Sequence, residues 1–262
     1  MSAPTPSEVG GDDLVVLKLG GSLITEKDRV ETIDEGALAA ACDAVAAALA
    51  DGAVDDLILV HGAGSFGHHH ASIHGVSTTD GTHDAGAVLD VHGSMVRLNH
   101  ALLSRLHERD VPAVPVHPLS ASARTEGVDG DLDLSTGSTT TLLAEGFVPL
   151  LHGDGVSTRD AGVTVVSGDE IIVELADRFE ASRVGLCSTV PGVLDDDGSV
   201  IPDITSFEAV SGVLGGSEAT DVSGGMAAKV RELLALDAPA SIFGPEGLEG
   251  FLRGDAPGTR IE

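Results

Sequence analysis

Short apolar runs alternate along the chain with longer segments in which apolar residues recur at helical spacing. The first run, residues 14–19, is interrupted only by Lys18 and is followed by Gly20 and Gly21. Continuous apolar runs of this length are typical of strands that are buried on both faces. We predict strands at residues 14–19, 57–60, 111–116, 147–151, 163–166, 183–187 and 241–243.

Helical patterns separate these strands. Asp34 is placed to cap the first helix and Gly52 to end it, which are the usual roles of these residue types. We predict helices at residues 34–51, 82–110, 135–145, 169–179 and 224–236, and a hairpin at 126–134 around Asp129-Gly130. Strands that alternate with helices predict an α/β fold, and we expect a three-layer αβα sandwich with a central, mostly parallel sheet.

Acidic residues dominate the charge of the chain. Its 42 acidic and 14 basic side chains give a formal net charge of -28, which excludes nonspecific binding to nucleic acid or to an anionic membrane, because both are polyanions. Hydrophobic residues make up 42% of the chain, so a packed core is expected rather than disorder. The acid is therefore a surface property, and it favours a protein adapted to high salt.

The length of 262 residues fits a single large domain. We expect a flexible tail at residues 1–13 and one domain at 14–262, with any seam between two lobes near residues 160–168. No targeting pattern is present, and the alanine-rich stretch at 37–50 is too short to span a bilayer. A cytoplasmic protein with two buried free thiols, Cys42 and Cys187, is expected.

Four glycine-bearing turns lie where loops meet helix N-termini, the place at which α/β sheets bind their ligands. They are Gly20-Gly21-Ser22, Gly62 to Gly67, Gly153-Asp154-Gly155 and Gly224-Gly225. Glycine lets backbone N–H groups approach an anion closely, and a helix N-terminus adds a favourable dipole. None of the turns has the spacing of a Walker or Rossmann motif, but together they predict a site that handles several phosphates.

The three lysines of the chain, Lys18, Lys27 and Lys229, all lie in or beside glycine-rich segments. Lys18 lies within a predicted core strand, and a buried lysine needs an anionic partner. Lys229 follows Gly225 by one helical turn, so its ammonium group can reach back over the helix N-terminus. Random survivors of lysine depletion are expected on surface helices instead, so these positions favour a phosphate site.

Histidines and acidic residues also cluster, but without the spacing of a metal site. His68, His69 and His70 are consecutive and point in different directions on a helix, whereas His70 and His74 share a face. No cysteine and no His-Glu-x-x-His pattern accompanies them. The run at residues 195–198 lacks the downstream acid of a calcium loop. We therefore expect no metal ion held mainly by protein side chains.

Several of these segments together resemble the amino acid kinase superfamily and, within it, the isopentenyl phosphate kinases. The segments are Lys18 to Ser22, His61 to His68, Ser167 to Glu170, and Asp221 to Met226 with Lys229. The resemblance extends over residues 14–243. His68 is its most specific element, because a histidine at this position distinguishes the members that phosphorylate a phosphate from those that phosphorylate a carboxylate.

The resemblance implies transfer of the γ-phosphoryl group of ATP, with Mg²⁺, to isopentenyl phosphate, giving isopentenyl diphosphate for isoprenoid synthesis. It implies an acceptor lobe at about 14–160, a nucleotide lobe at about 161–262, and a homodimer. The implied catalytic residues are Lys18, Lys27, His68, Asp169 and Lys229. The implied ATP contacts are Lys18, Leu19, Gly20, Gly21, Ser22, Gly64, Thr189, Gly224, Gly225 and Lys229, and the implied acceptor contacts are Ala63, Gly67, His68, Gly153 and Asp154. Val88, Val91, Met95 and Val96 are candidates for the wall of the tail pocket.

The chain departs from the family pattern at Thr189. Relatives usually carry an acid in the segment that corresponds to Ser188-Thr189-Val190. Two alternatives stay open: a sibling kinase that phosphorylates another small phosphate or phosphonate (as a fosfomycin-resistance kinase does) or an amino acid carboxylate, and a nucleotide-sensing protein without transfer activity.

Overall fold

In the computed structural model, the structure describes residues 5–10, 13–214 and 225–262. The strands are β1 (Leu14–Leu19), β2 (Asp56–His61), β3 (Ala113–Pro115), β4 (Ser122–Arg124), β5 (Asp133–Leu134), β6 (Val148–His152), β7 (Asp154–Thr158), β8 (Gly162–Val166), β9 (Arg183–Cys187), β10 (Asp203–Ile204), β11 (Ala240–Phe243) and β12 (Thr259–Ile261). The helices are α1 (Pro6–Gly10), α2 (Gly21–Ile24), α3 (Glu35–Ala50), α4 (Gly64–His74), α5 (Ala85–His107), α6 (Pro118–Ala121), α7 (Gly137–Ala144), α8 (Gly168–Arg178), α9 (Ser211–Leu214), α10 (Gly225–Leu233) and α11 (Leu248–Leu252), with a 3-10 turn at Pro245–Gly247.

An eight-stranded sheet forms the centre of the molecule. Its strand order is β10-β12-β11-β9-β1-β2-β6-β3, and its pairs are parallel except for β11 with β12. Every residue of β1 is buried, because helices cover both faces of the sheet. The predicted α/β fold with a mostly parallel central sheet is confirmed.

Two hydrophobic cores lie on opposite faces of this sheet. Leu14 and Val16 of β1 pack in one core with the apolar residues of α7, α8 and α10. Val15 and Leu17 point to the other face and pack with α3, α5 and α11. Alternate side chains of a strand point to opposite faces, so Lys18 lies on the same face as α8. The predicted buried thiols Cys42 and Cys187 are both found.

A smaller sheet of four strands, in the order β5-β4-β7-β8, lies beside the main one. The hairpin predicted at 126–134 is wrong in its bounds, because the antiparallel pair joins Ser122 with Leu134 and residues 125–132 form its connection. The turn predicted at Gly153-Asp154-Gly155 is wrong in part, because β7 starts at Asp154 and Gly155 lies within it. The chain thus passes from the main sheet into the small one with only Gly153 between the two strands.

The segment predicted as a tail contains the helix α1. Pro6 is the first helical residue, and the carboxylate of Glu8 accepts hydrogen bonds from the backbone N–H (2.7 Å) and the hydroxyl (2.9 Å) of Thr5. This is one half of a capping box, and Val9 packs against the core. Residues 1–4, 11 and 12 lie outside the described part, as does the helix start predicted at residue 224.

Across the described ranges, the helices fall short of the length and apolar character that a bilayer crossing requires.

Candidate active site

A cavity of about 1030 Å³ lies at the carboxyl ends of β1, β2, β6 and β9. The N-terminal residues of α2, α4, α8 and α10 also line it. Glycines occupy all four of these positions, as expected where backbone must approach a ligand. The predicted site residues that line this one cavity are Lys18, Gly20, Gly21, Ser22, Lys27, Ala63, Gly64, Gly67, His68, Gly153, Asp154, Asp169, Thr189, Gly225 and Lys229.

Asp169 joins two of the three lysines. The Nζ atom of Lys18 lies 2.8 Å from Oδ1 of Asp169, and that of Lys229 lies 3.4 Å from Oδ2. The strand β1 supplies Lys18, the N-terminus of α8 supplies Asp169, and α10 supplies Lys229. Glycine at position 168 leaves room for Lys18, because a Cβ atom there would lie 3.1 Å from Cε of Lys18 and 3.2 Å from the carbonyl oxygen of His61.

The carboxylate of Asp169 and the ammonium groups of Lys18 and Lys229 stabilise one another in their charged forms. Lys18 and Asp169 are almost fully buried, at 8% and 5% exposure. Burial acts to raise the pKa of Asp169, but the adjacent ammonium groups of Lys18 and Lys229 outweigh it and hold that pKa below its usual value. One carboxylate therefore fixes two ammonium groups at the cavity wall and leaves a net positive charge there, which suits a polyphosphate.

Two glycines allow α2 and α4 to begin in direct contact. A Cβ atom on Gly21 would lie 2.0 Å from the backbone nitrogen of Gly64, and Gly64 has a φ of +51°. Thr25 fastens the contact, since its hydroxyl donates to the carbonyl of Gly21 (2.8 Å) and accepts from the N–H of Ser65 (3.0 Å). The two glycine turns that are distant in sequence therefore form one continuous backbone wall.

Some of the residues predicted to contact the ligands make hydrogen bonds or packing contacts within the protein. The N–H groups of Gly20 and Gly153 are used within the sheet, because they donate to the carbonyls of Cys187 (2.8 Å) and His61 (3.1 Å). The predicted phosphate contacts of Gly20 and Gly153 therefore stay predictions, and the N–H groups of both residues are already engaged. Leu19 is 1% exposed and packs in the core. Gly224 lies outside the described residues.

The carboxylate of Asp154 points to protein groups. It lies 2.9 Å from Nδ1 of His92 and accepts from the N–H groups of Leu119 (3.2 Å) and Gly155 (2.8 Å). The hydrogen bond with Asp154 is the main cause that raises the pKa of His92. This carboxylate holds β7 to α5 and α6, and the predicted acceptor contact at Asp154 stays a prediction.

A cluster of buried histidines, which the sequence did not indicate, lies behind the cavity wall. Nδ1 of His61 lies 3.0 Å from the carbonyl oxygen of Gly62, and Nδ1 of His152 lies 2.9 Å from that of Gly153. A carbonyl oxygen can only accept, so both Nδ1 atoms carry the proton. Burial is the main cause that lowers the pKa of His61, to about 3, and that lowers the pKa of His152.

The Nε2 atoms of His61 and His152 also have hydrogen-bond partners. Nε2 of His61 lies 3.3 Å from Nδ2 of Asn99, and Nε2 of His152 lies 2.9 Å from Nδ1 of His117. Burial, followed by the nearby His92, lowers the pKa of His117. The neutral rings thus hold the carbonyl groups of Gly62 and Gly153 in place by hydrogen bonds. Both glycines belong to backbone segments that line the cavity.

Apolar side chains form another part of the cavity wall. Val91 and Met95 of α5 line it together with Ala71 and Ile73 of α4. Gly67 makes room for Met95, because a Cβ atom there would lie 2.6 Å from the sulfur atom. Of the predicted wall residues, Val88 and Val96 do not line this cavity.

Three predicted residues lie on exposed positions around the cavity. Lys27 follows α2, His68 lies in the second turn of α4, and Thr189 follows β9. All three line the cavity. Lys27 is therefore the most solvent-accessible of the lysines and stands apart from the Lys18–Asp169–Lys229 group.

The fold and the site together define a class of protein. A parallel αβα sandwich places two lysines on one buried carboxylate, opposite a wall of glycine backbone, and an apolar wall stands beside the exposed histidine. This arrangement is that of a phosphotransferase acting on a small molecule, in which positioning and charge neutralisation carry the chemistry.

The chain belongs to the amino acid kinase family, whose sequence model matches residues 13–236. It is 60% identical to an isopentenyl phosphate kinase of Haloferax volcanii over 95% of this chain and 98% of that protein. It is 33% identical to an isopentenyl phosphate kinase of Methanothermobacter thermautotrophicus, covering 85% of this chain and 86% of that protein. Its structure matches an X-ray structure of an isopentenyl phosphate kinase with a TM-score of 0.78 and 27% identity, covering 95% of this chain and all of that one. The resemblance inferred from the sequence is confirmed.

Proposed function

We propose that the protein transfers the γ-phosphoryl group of ATP to isopentenyl phosphate. The observation that carries this proposal is the composition of one cavity, which combines the Lys18–Asp169–Lys229 group with an apolar wall at Val91 and Met95. The first suits a polyphosphate, and the second suits a short branched hydrocarbon. The similarity to isopentenyl phosphate kinases over nearly the whole chain supports it.

The reaction needs few groups from the protein. An acceptor phosphate has a second pKa of about 6 and is ionised near neutral pH, so no general base is required. An oxygen of the acceptor phosphate attacks the γ-phosphorus of ATP, the bond to the β-phosphate oxygen breaks, and ADP leaves. Lys18 and Lys229 neutralise the charge on the transferred group, and His68 donates a hydrogen bond to the acceptor phosphate. Lys27 comes over the phosphates from the segment that follows α2.

Mg²⁺ fits this site as an ion held by the nucleotide. Both oxygens of Asp169 are occupied by the ammonium groups of Lys18 and Lys229, so this carboxylate is not directed at a metal ion. Magnesium usually keeps several waters and binds through substrate phosphates. When bound, the ion would supply charge neutralisation on the phosphates of ATP.

The assignment of lobes follows from the same roles. We propose that residues of about 14–160 hold the acceptor and residues of about 161–262 hold the nucleotide, with Thr189 and Gly225 on the nucleotide side. A homodimer, a cytoplasmic location and adaptation to high salt belong to the same proposal. The charge of -28 and the similarity to a Haloferax protein support the last of these.

A substrate panel tests the proposal. The full chain is assayed with ATP and Mg²⁺ in molar KCl against isopentenyl phosphate, fosfomycin and N-acetylglutamate, and products are followed by ³¹P NMR. We expect isopentenyl diphosphate as the product. Isopentenol is the matched control, because it has the same tail without the phosphate, and it should give no product. Turnover of fosfomycin or acetylglutamate without turnover of isopentenyl phosphate contradicts the proposal.

The variant His68→Ala tests the acceptor side in the same assay. A hydrogen bond to a charged group contributes about 1.5–3 kcal/mol, which corresponds to a rise of about 10- to 100-fold in KM for isopentenyl phosphate. The KM for ATP should stay within about twofold. An equal rise in the KM values for ATP and isopentenyl phosphate contradicts the assignment of His68 to the acceptor site.

A further inference from the structure

Three metal-ligating side chains meet where α4 and α5 pack together. His70 and His74 lie one helical turn apart on α4, and Asp90 lies on the first half of α5. One ligand atom from each of the three residues lies within 4.8 Å of the others. Nε2 of His74 is 2.9 Å from Oδ2 of Asp90. Asp90, which is distant in sequence, completes the histidine pair.

Two histidines at this spacing and one carboxylate form a typical ligand set for a catalytic or exchangeable zinc site, which has three protein ligands and an open position. In a tetrahedral site with bonds of about 2.0–2.1 Å, ligand atoms lie about 3.3 Å apart. The three atoms therefore need to approach by no more than about 1.5 Å. Asp90 is exposed and both histidines are partly exposed, so the side chains can rotate and an ion can enter from solvent.

The surroundings of the three residues favour a cation. Oε1 of Glu31 lies 2.8 Å from Nε2 of His70, and a carboxylate beside a ligating imidazole orients the ring and fixes its tautomer. Arg97 forms an ion pair with the same oxygen of Glu31. The positive charge of Arg97 is therefore paired with Glu31 and not with Asp90. Asp90 remains available to bind the ion.

We propose that His70, His74 and Asp90 bind one zinc-like transition metal ion between α4 and α5. The ion joins α4, which lines the cavity along most of its length, to the helix that carries Val91 and Met95. The site lies apart from the lysine group, and it does not depend on the proposed transfer reaction.

Calorimetric titration of the full chain with ZnCl₂ in molar KCl tests this proposal. Millimolar MgCl₂ is present throughout, because magnesium occupies sites made of oxygen ligands but competes poorly for imidazole. One Zn²⁺ per chain is expected. His74→Gln and His70→Gln should each weaken binding by about tenfold or more, and Asp90→Asn should weaken it as well.

His100→Gln is the matched control, because His100 is an exposed histidine on α5 outside the cluster. It should bind Zn²⁺ as the unaltered chain does. A second readout is thermal unfolding: Zn²⁺ should raise the Tm of the unaltered chain and of His100→Gln, but not that of His74→Gln. Absence of binding by the unaltered chain, or equal binding by His74→Gln, overturns the proposal.

Discussion

At the scale of single residues, the site depends on a carboxylate that holds two positive charges in place. Asp169 contacts Lys18 and Lys229, and its exposure is 5%. Two ammonium groups on one wall repel each other and point elsewhere unless an anion lies between them. The structure therefore gives Asp169 a positioning role that acts through the lysines.

The variant Asp169→Asn tests this role. The amide has nearly the same shape but no charge, so the two lysines lose their shared counterion. We expect kcat to fall by about 100-fold or more and the free energy of unfolding to fall by about 3–5 kcal/mol, as when one partner of a buried ion pair is removed. Steady-state kinetics and urea unfolding measure the two effects.

Glu170→Gln is the control for that variant. Glu170 is the next residue on α8 and pairs with Arg124, which is buried, but it does not line the cavity. We expect Glu170→Gln to lose stability while kcat stays within a few-fold. A similar loss of kcat in both variants contradicts the positioning role of Asp169.

At the scale of elements, the closest approach in the site is that of α2 to α4. Their contact at Gly21 and Gly64 has no room for a side chain, because a Cβ atom on Gly21 would lie 2.0 Å from backbone. Both helix starts line the cavity. A shift at this point therefore moves the wall of the site as well as the packing.

We expect Gly21→Ala to lower the free energy of unfolding by about 1–3 kcal/mol, the range for overpacking, and to reduce kcat at the same time. Gly137→Ala is the matched control. Gly137 also begins a helix, α7, but a Cβ atom there meets nothing within 4 Å, so no loss is expected. Urea unfolding followed by circular dichroism measures the free energy of unfolding of both variants. Equal values for the two variants contradict a tight contact between α2 and α4 at Gly21.

Apolar runs in the sequence predict the buried strands of the central sheet but not the short strands near its edge. The strands of the central sheet are buried on both faces, and their runs gave β1, β2, β6, β9 and β11 to within about two residues. The two-residue strand β10 and the short strand β12 lack such runs, because they pair at the edge of the sheet. The helix α1 was missed although Thr5 and Glu8 have the spacing of a capping box.

At the scale of the whole molecule, buried histidines couple stability to pH. Burial holds the pKa of His61 at about 3 and lowers that of His152, so the folded protein keeps both rings neutral, while the unfolded chain binds protons near pH 6.5. Their contribution to stability is complete above pH 6.5 and is lost as the pH falls toward the folded pKa. His92 has a raised pKa, so its contribution has the opposite pH dependence: it is present below pH 6.5 and is lost as the pH rises through the raised pKa.

We expect the free energy of unfolding to fall as the pH is lowered from 7 to 5, with His61 contributing up to about 1.4 kcal/mol per pH unit below pH 6.5. Urea unfolding in molar KCl measures this by circular dichroism, because the chain has no tryptophan or tyrosine. His61→Asn keeps a donor for the Gly62 carbonyl but does not titrate, so its profile should be flatter. An unchanged slope in this variant contradicts the assignment.

The sequence by itself determined the fold class, the family and the lysines, His68, Asp169 and several glycines of the cavity. These follow from local patterns: apolar runs of strand length, glycines after strands, and three lysines that survive in an acidic chain. Only the tertiary structure showed that Gly20 and Gly153 use their N–H groups within the sheet and that His70, His74 and Asp90 meet. The reason is that hydrogen bonds and ion pairs between distant segments depend on strand register and helix packing, which no local pattern specifies.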